Sequence, residues 1–469
     1  MGYLHTTATY RVHLGPVSSH FEADFPSTLR QYLATRMTIE GAHGSEPHHF
    51  FAPDTASFLT GVYASVETLL AERHVTMTPI ADPRPPCLPR VAEPPCLVTL
   101  RDYQETTVDE AILVQRGIIQ AAVNSGKSEL AMEIIRRLRV PTVYLVPTQR
   151  LYEQALEAFQ TRLPSLPLGE CKAGRFEPAL ITVAMVQTLS RGLRPVDEGG
   201  SEAMRRWLAT VECVIADETQ HFSSETFRRV FTRATSAPYR FGLSATPFGM
   251  GRARDILLKG LTGPPFGTIT AKDLEHRGLS VPADVRFIAY PQIQNGLRHV
   301  SGREYRTIHQ IGVRENDGRA RALYTAILPH LDKRERVLVF VDEIAHGDRL
   351  ALAAPSGVHP QCLYGTESKS ERARMEAAFR RGERPLLITT LLKEGVNIPE
   401  IDVIVNASGR KAEWLIRQQG GRGVRTRPGK TTVVIYDFID AAHPTLWRHS
   451  HARRAAYEAE QYPVTLVAQ

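Results

Sequence analysis

The segment AAVNSGKSEL, residues 121–130, follows directly on the apolar run GIIQ and opens a stretch with helical spacing. A loop between a strand and a helix can turn its backbone N–H groups onto phosphate oxygens, and the positive end of the helix dipole favours the same charge. Gly126 supplies the tight turn, Lys127 reaches terminal phosphates, and Ser128 offers a hydroxyl to Mg²⁺. Asn124 and Ser125 complete the loop. Ala121 takes the first glycine position of the strict phosphate-loop pattern, but Asn tolerates φ > 0 better than most residues, so the loop is expected to survive with Asn124 in it. A second constellation, VIADETQHF, puts Asp217 and Glu218 at the end of a buried apolar run. There the aspartate can hold Mg²⁺ through its water shell while the glutamate activates an attacking water. Each has a plainer reading alone: a chance GKS, or a strand followed by a helix with an Asp or Ser cap. Together they point to an ATPase that uses ATP and Mg²⁺.

Positioning these groups requires strands and helices in alternation. From Val98 onward short apolar runs (GIIQAAV, TVYLVP, LITVA, CVIAD, RFGLSA) alternate with amphipathic stretches, the pattern of βαβ units in a parallel sheet. After Pro247 a connecting region holds RARDILLKGL and AKDLEHRGL, and a second series of strands follows: VRFIAY, VLVFVD, PLLITT, VIVNA and TTVVIYDF. Ahead of Leu97 the texture differs. TYRVHL reads as a strand and STLRQYL as a helix. DTASFLTGVYASVETLL spaces Phe58, Val62, Val66, Leu69 and Leu70 as one helix behind Asp54 or Thr55, and HVTMTPI reads as a strand. The proline-rich ADPRPPCLPRVAEPPC reads as a stiff linker.

The fold class expected is therefore α/β: a small N-terminal α/β domain over 1–97, then two open parallel-sheet domains over 98–282 and 283–469. A chain of 469 residues has room for about three domains of ~150 residues. No apolar run approaches the ~20 residues needed to cross a bilayer, and the N-terminus lacks a basic segment followed by an apolar one. A soluble, cytoplasmic protein is expected. Net charge +7 and a pI near 9.2 permit a polyanionic partner. The five cysteines form no CxxC pair and suit reduced thiols. His43, His48 and His49 read as a solvated loop before a metal site, and WRHSHARRAAYEAE as a surface helix before a nucleic-acid contact through Arg448, Arg453 or Arg454.

The order of motifs from Leu100 to about Tyr462 resembles that of superfamily 2 helicases, which implies that the two sheets are RecA-like domains with ATP bound between them. LRDYQ resembles the adenine-reading segment, with Arg101 and Gln104 at the base. YLVPTQRL resembles motif Ia and VQTL motif Ib, which implies nucleic-acid contacts from Pro147, Thr148, Arg150, Gln187 and Thr188. GLSATPF matches the SAT motif, in which Ser244 and Thr246 would link the nucleotide site to the bound strand. VLVFVD resembles motif IV. TTLLKEGVNIPEID resembles motif V, with Thr389 and Thr390 toward nucleic acid and Gly395 and Asn397 toward nucleotide. IRQQGGRGVR resembles motif VI, with Gln418, Arg422 and Arg425 in the key places; such arginines can be worth ~10³ to 10⁵ in rate. Two departures stand out. Gln220 replaces the histidine of DExH helicases yet can still donate and accept, and Gln419 replaces the first motif VI arginine.

Within the superfamily, DETQHFSSETF, GLSATPFGMGRARDILLKGLTGP and IGVRENDGRARAL resemble the phage UvsW-type and XPB-like branch. That resemblance implies a DNA helicase or translocase acting as a monomer on single-stranded, forked or junction DNA, with unwinding and branch migration as outcomes and a DNA-binding role for residues 1–97. An RNA helicase and an ATP-switched nucleic-acid clamp are the alternatives.

Overall fold

The computed structural model describes residues 8–39, 47–80, 87–97, 99–122, 124–222, 224–249, 251–291, 297, 300–301, 304–390, 400–410, 430–459 and 461–468. Residues 1–121 with 126–268 form one compact unit, and 122–125 with 269–469 another.

The N-terminal segment folds around its own apolar cluster. Strands β1 (Ala8–His13), β2 (Ser18–Phe21), β5 (Phe51–Ala52), β6 (Ser57–Leu59) and β7 (Val75–Ile80) make one sheet in the order β5-β6-β2-β1-β7. Helices α1 (Ser27–Arg36) and α2 (Tyr63–Ala71) accompany it, and β3 (Thr38–Ile39) pairs with β4 (His48–His49). Val12, Phe21, Phe58, Val66 and Leu70 fill the core. One expectation is corrected here: Phe58 is not helical. It lies on β6 opposite Ser19, followed by a 3₁₀ turn over Thr60–Val62, and the helix starts only at Tyr63. Strand pairing has overridden the helical spacing, because Ser57, Phe58 and Leu59 all find partners on β2.

The second sheet begins after α3 (Asp102–Val114). Its strands are β8 (Arg116–Ala121), β9 (Thr142–Val146), β10 (Leu168–Lys172), β11 (Arg175–Glu177), β12 (Ile181–Met185), β13 (Cys213–Asp217), β14 (Tyr239–Ser244) and β15 (Pro265–Ile269), in the order β11-β10-β12-β9-β13-β14-β8-β15. Helices α4 (Lys127–Leu138), α5 (Gln149–Arg162), α6 (Val186–Gly192), α7 (Glu202–Thr210), α8 (Ser224–Arg233) and α9 (Arg252–Leu261) connect them. The strands from β8 to β10 through β14, β13, β9 and β12 are all parallel. Cys213–Ala216 and Thr142–Leu145 pair residue for residue, all of them buried. Apolar strands of this kind are buried on both faces, which is why they read as continuous runs. Parallel register brings the carboxyl ends of β8, β13 and β14 to one edge, where ligands bind in open α/β sheets; Asp217 pairs with Leu243 and Ser244 with Gln120.

The third sheet follows α10 (Ala271–His276). Strands β16 (Ala283–Ala289), β17 (Val337–Phe340), β18 (Gln361–Leu363), β19 (Leu386–Thr389), β20 (Val403–Asn406), β21 (Val433–Phe438) and β22 (Val464–Ala468) are ordered β18-β19-β17-β20-β21-β16-β22 and all parallel. Its helices are α11 (Tyr305–His309), α12 (Asp317–Asp332), α13 (Ile344–Leu352), α14 (Lys369–Arg381) and α15 (Pro444–Ala459). The basic tail is indeed a helix, α15, but Arg453 on it is fully buried. Its guanidinium donates to Asp437 at 2.9 Å and approaches Asp440 at 3.4 Å, so it is unavailable to nucleic acid. Among the described residues no helix is long and apolar enough to cross a membrane.

Candidate nucleotide and coupling site

The loop between β8 and α4 is built as its residues require. Asn124 has φ 76° and Gly126 φ 83°, both left-handed, so the asparagine takes the conformation for which glycine is the usual choice. A Cβ on Gly126 would lie 2.2 Å from Nε2 of Gln104, so the glycine also makes room for that buried amide. Gln104 Oε1 accepts from the Arg101 backbone N–H at 2.9 Å, while the Arg101 guanidinium donates to Tyr103 Oη at 2.8 Å. Helix α4 starts at Lys127 without a side-chain cap on Gly126, leaving its first-turn N–H groups for an anion.

Lys127 Nζ donates to the Ala121 carbonyl at 3.3 Å and stands 3.9 Å from Glu218 Oε1. The ammonium therefore sits over the carboxyl end of β8, within reach of the carboxylates at the end of β13. Asp217 is buried, accepting from Tyr144 Oη at 2.8 Å and from the Glu218 backbone N–H at 2.9 Å. Burial, reinforced by the Glu218 charge, pushes the Asp217 carboxyl up to about 6 against the opposing pull of Lys127 and Tyr144. A divalent cation beside it would restore the ionised form. Glu218 has φ 50°, a strained left-handed conformation at the end of β13. Ser128 is exposed in the first turn of α4. A phosphate-sized loop with a lysine, an uncapped helix start and a buried carboxylate lacking enough positive charge fit ATP with Mg²⁺.

From this site a hydrogen-bonded line runs to the next strand. Gln220 Nε2 donates to Glu218 Oε2 at 2.5 Å, Ser244 Oγ donates to Gln220 Oε1 at 2.6 Å, and the Thr246 backbone N–H donates to Ser244 Oγ at 2.9 Å. All three linking residues, Gln220, Ser244 and Thr246, are buried. The amide of Gln220 thus uses both its donor and its acceptor. The Thr246 hydroxyl has no hydrogen-bond partner among the described residues.

The remaining sequence-chosen residues are dispersed. Pro147 is buried and its carbonyl accepts from Gln187 Nε2 at 2.8 Å, tying the end of β9 to α6; Thr148 caps α5 through Leu151 N at 3.3 Å. Arg150 and Thr188 are half-buried and Gln187 is exposed. Thr389 ends β19 fully buried, so only its neighbour Thr390 has exposed surface there. Gly395, Asn397, Gln418, Arg422 and Arg425 lie outside the described residues. Two residues escaped the sequence reading. Tyr144 was visible only as the hydroxyl-bearing member of an apolar strand. Arg254 on α9 donates to the Thr219 carbonyl at 2.8 Å, and nothing in RARDILLKGL marks it.

Comparison with known proteins gives two family matches and several similar chains. Residues 97–249 match the family model "Type III restriction enzyme, res subunit", and residues 318–427 match "Helicase conserved C-terminal domain". The putative DNA 3'-5' helicase Rad25 of Halobacterium salinarum is 27% identical over 371 residues, 76% of this chain and 56% of the relative. A second Rad25, from Haloarcula marismortui, is 25% identical over 71% of this chain and 50% of its own, so the chain spans about half the length of these curated relatives. The structure of the ATP-dependent Type ISP restriction-modification enzyme LlaBIII bound to DNA superposes with TM-score 0.58 at 15% identity, over 79% of this chain and 31% of its own. That of T4 UvsW covers 98% of this chain and 99% of its own at TM-score 0.46 and 15% identity. The second and third sheets are tandem RecA-like folds. The chain thus carries two helicase-related family matches in succession and is similar in sequence to the Rad25 helicases.

Proposed function

We propose that this chain is an ATP-dependent DNA helicase or translocase. The observation that carries the reading is the convergence of Lys127, Asp217 and Glu218 at one sheet edge, with Gln220 linking that edge to Ser244 and Thr246. Lys127 and the N–H groups of the loop hold the terminal phosphates, and Ser128 with Asp217 holds the metal. Gln104 and Arg101 face the base. Glu218 orients and deprotonates the attacking water, and Arg422 and Arg425 supply positive charge to the phosphoryl oxygens. When bound, Mg²⁺ neutralises charge that develops on those oxygens.

DNA is the proposed polymer because the Rad25 relatives are described as DNA helicases and the LlaBIII structure holds DNA. Pro147, Thr148, Arg150, Gln187, Thr188 and Thr390 are proposed to grip its backbone. The sequence resemblance to UvsW-type proteins extends the proposal to forked and branched substrates. Lys127→Ala is expected to abolish ATP turnover while leaving the thermal unfolding profile intact; normal hydrolysis by that variant refutes the site. Turnover measured with single-stranded, duplex and forked DNA and with RNA identifies the polymer, and strand displacement with ATP separates a helicase from a switched clamp.

A further inference from the structure

We propose that an arginine-lined cavity along α8, beside the carboxyl end of α6, is a second phosphate-binding site, through which the DNA backbone is held beyond the Gln187 segment. The inference rests on the DNA-binding reading above and gives that contact an extended track. The cavity has a volume of about 220 Å³ and is lined chiefly by Arg194, Arg228, Arg229 and Arg233, with Glu225 as its one carboxylate. Glu225 is shared between Arg228, at 2.9 Å, and Arg229, at 2.7 Å. Arg194 and Arg233 are exposed and have no carboxylate partner among the described residues. Four guanidinium groups around one opening with a single counter-charge repel one another, and a polyanion relieves that repulsion while releasing its own counterions.

Two further observations separate this cavity from an ordinary solvated face. The first concerns helix capping, the usual work of arginines at a helix end. At α8 that work is done from inside: the buried Arg240 donates to the carbonyls of Phe231 at 2.8 Å, Ala234 at 2.5 Å and Ala237 at 2.8 Å. Arg228 and Arg233 are therefore not needed for it. The second concerns direction. Gln187 and Arg191, four residues apart, share one side of α6, and Arg194 follows just beyond its carboxyl end; all three are exposed. Arg191 Nε donates to the Gln187 carbonyl at 3.3 Å, and Arg229 Nη1 donates to the Ser190 carbonyl at 3.4 Å, fastening α8 alongside. A strand gripped at Gln187 would pass Arg191 and arrive at the cavity. Guanidinium forks match the paired oxygens of a phosphodiester.

The test uses the full chain without nucleotide. Fluorescent single-stranded DNA is titrated at several salt concentrations with the wild type, with R194Q/R233Q and with R194E/R233E. For the glutamine pair the expected slope of log K against log salt is shallower by about 0.7 per arginine removed, with weaker binding at low salt and a larger loss for the glutamate pair. ATP turnover without DNA stays unchanged, since neither residue touches the nucleotide site. Unchanged affinity and slope overturn the proposal, as does weaker binding with an unchanged slope, which would mean a structural defect. Titration with pyrophosphate identifies the source of the phosphate: saturation of the cavity by pyrophosphate with no effect on DNA affinity overturns it too. A Lys127→Ala variant that still hydrolyses ATP refutes the nucleotide-site reading and leaves this binding measurement to be judged separately.

Discussion

Gln220 sits between two groups that must change together if ATP turnover is to be felt along the chain. One end of its amide reads the Glu218 carboxylate and the other reads the Ser244 hydroxyl, so rearrangement at either end disturbs both. Buried hydrogen bonds in series couple because losing one member leaves the others unsatisfied at a cost of about 1 to 3 kcal/mol. In a double-mutant cycle read by DNA-stimulated ATP turnover, Gln220→Ala and Ser244→Ala should each lower stimulation several-fold. The double variant should be little worse than the worse single one, a coupling of about 1 to 2 kcal/mol. Additive losses would mean that the two side chains act independently. At this scale much was legible in the sequence: the loop, the carboxylate pair and even the left-handed Asn124 follow from residue type and spacing. Tyr144 and Arg254 were not, because their roles depend on what lies across a sheet or beneath a helix.

Helices show the same division. Strands β9, β13, β14, β17 and β20 announce themselves as apolar runs, whereas Phe58 passed for part of a helix because spacing alone cannot see that β2 is there to pair with it. Burial of polar side chains is harder still to anticipate, and α13 provides a measurable case. Its His346 is almost fully buried, with Nδ1 lacking a hydrogen-bond partner among the described residues. Burial first, then the charges of Arg319, His309 and Arg314, lower its pKa to about 3, with Asp440 acting in the opposite direction. The ordinary histidine value is about 6.5, so between pH 6.5 and 3 the unfolded chain takes up a proton that the folded chain refuses. Stability from this group is therefore fully present above pH 6.5 and is lost as pH falls toward 3, by about 2 kcal/mol between pH 7 and pH 5. Chemical denaturation of His346→Leu and wild type at those two pH values should show the variant losing less by roughly that amount. Parallel losses would mean that His346 titrates normally in the folded protein.

Across the whole molecule, the N-terminal module is fastened to the helix that follows the SAT segment. Ala253, Ile256 and Leu257 of α9 pack against the module's apolar cluster, and Leu59 lies directly over Gly260. The approach is close enough that a Cβ on Gly61 would fall 1.9 Å from the Lys259 carbonyl oxygen and 2.7 Å from that of Gly260, backbone atoms that cannot rotate aside. Arg116 adds a tie, donating to the Pro16 carbonyl at 3.2 Å while its other nitrogens bind the carbonyls of Thr262 and Leu261. On its other side α9 reaches the proposed nucleotide site through Arg254 and the Thr219 carbonyl. A module held this way moves with α9, not as a bead on a linker, and should melt with the first helicase sheet in a single transition. Gly61→Ala forces the two surfaces apart, and overpacking of this kind costs about 1 to 3 kcal/mol. Calorimetry of the variant should show a melting temperature lower by several degrees, and limited trypsin treatment should release the module sooner. If Gly61→Ala melts and digests like the wild type, the module is not seated on α9, and motion at the nucleotide site has no route through that helix to the N-terminal sheet.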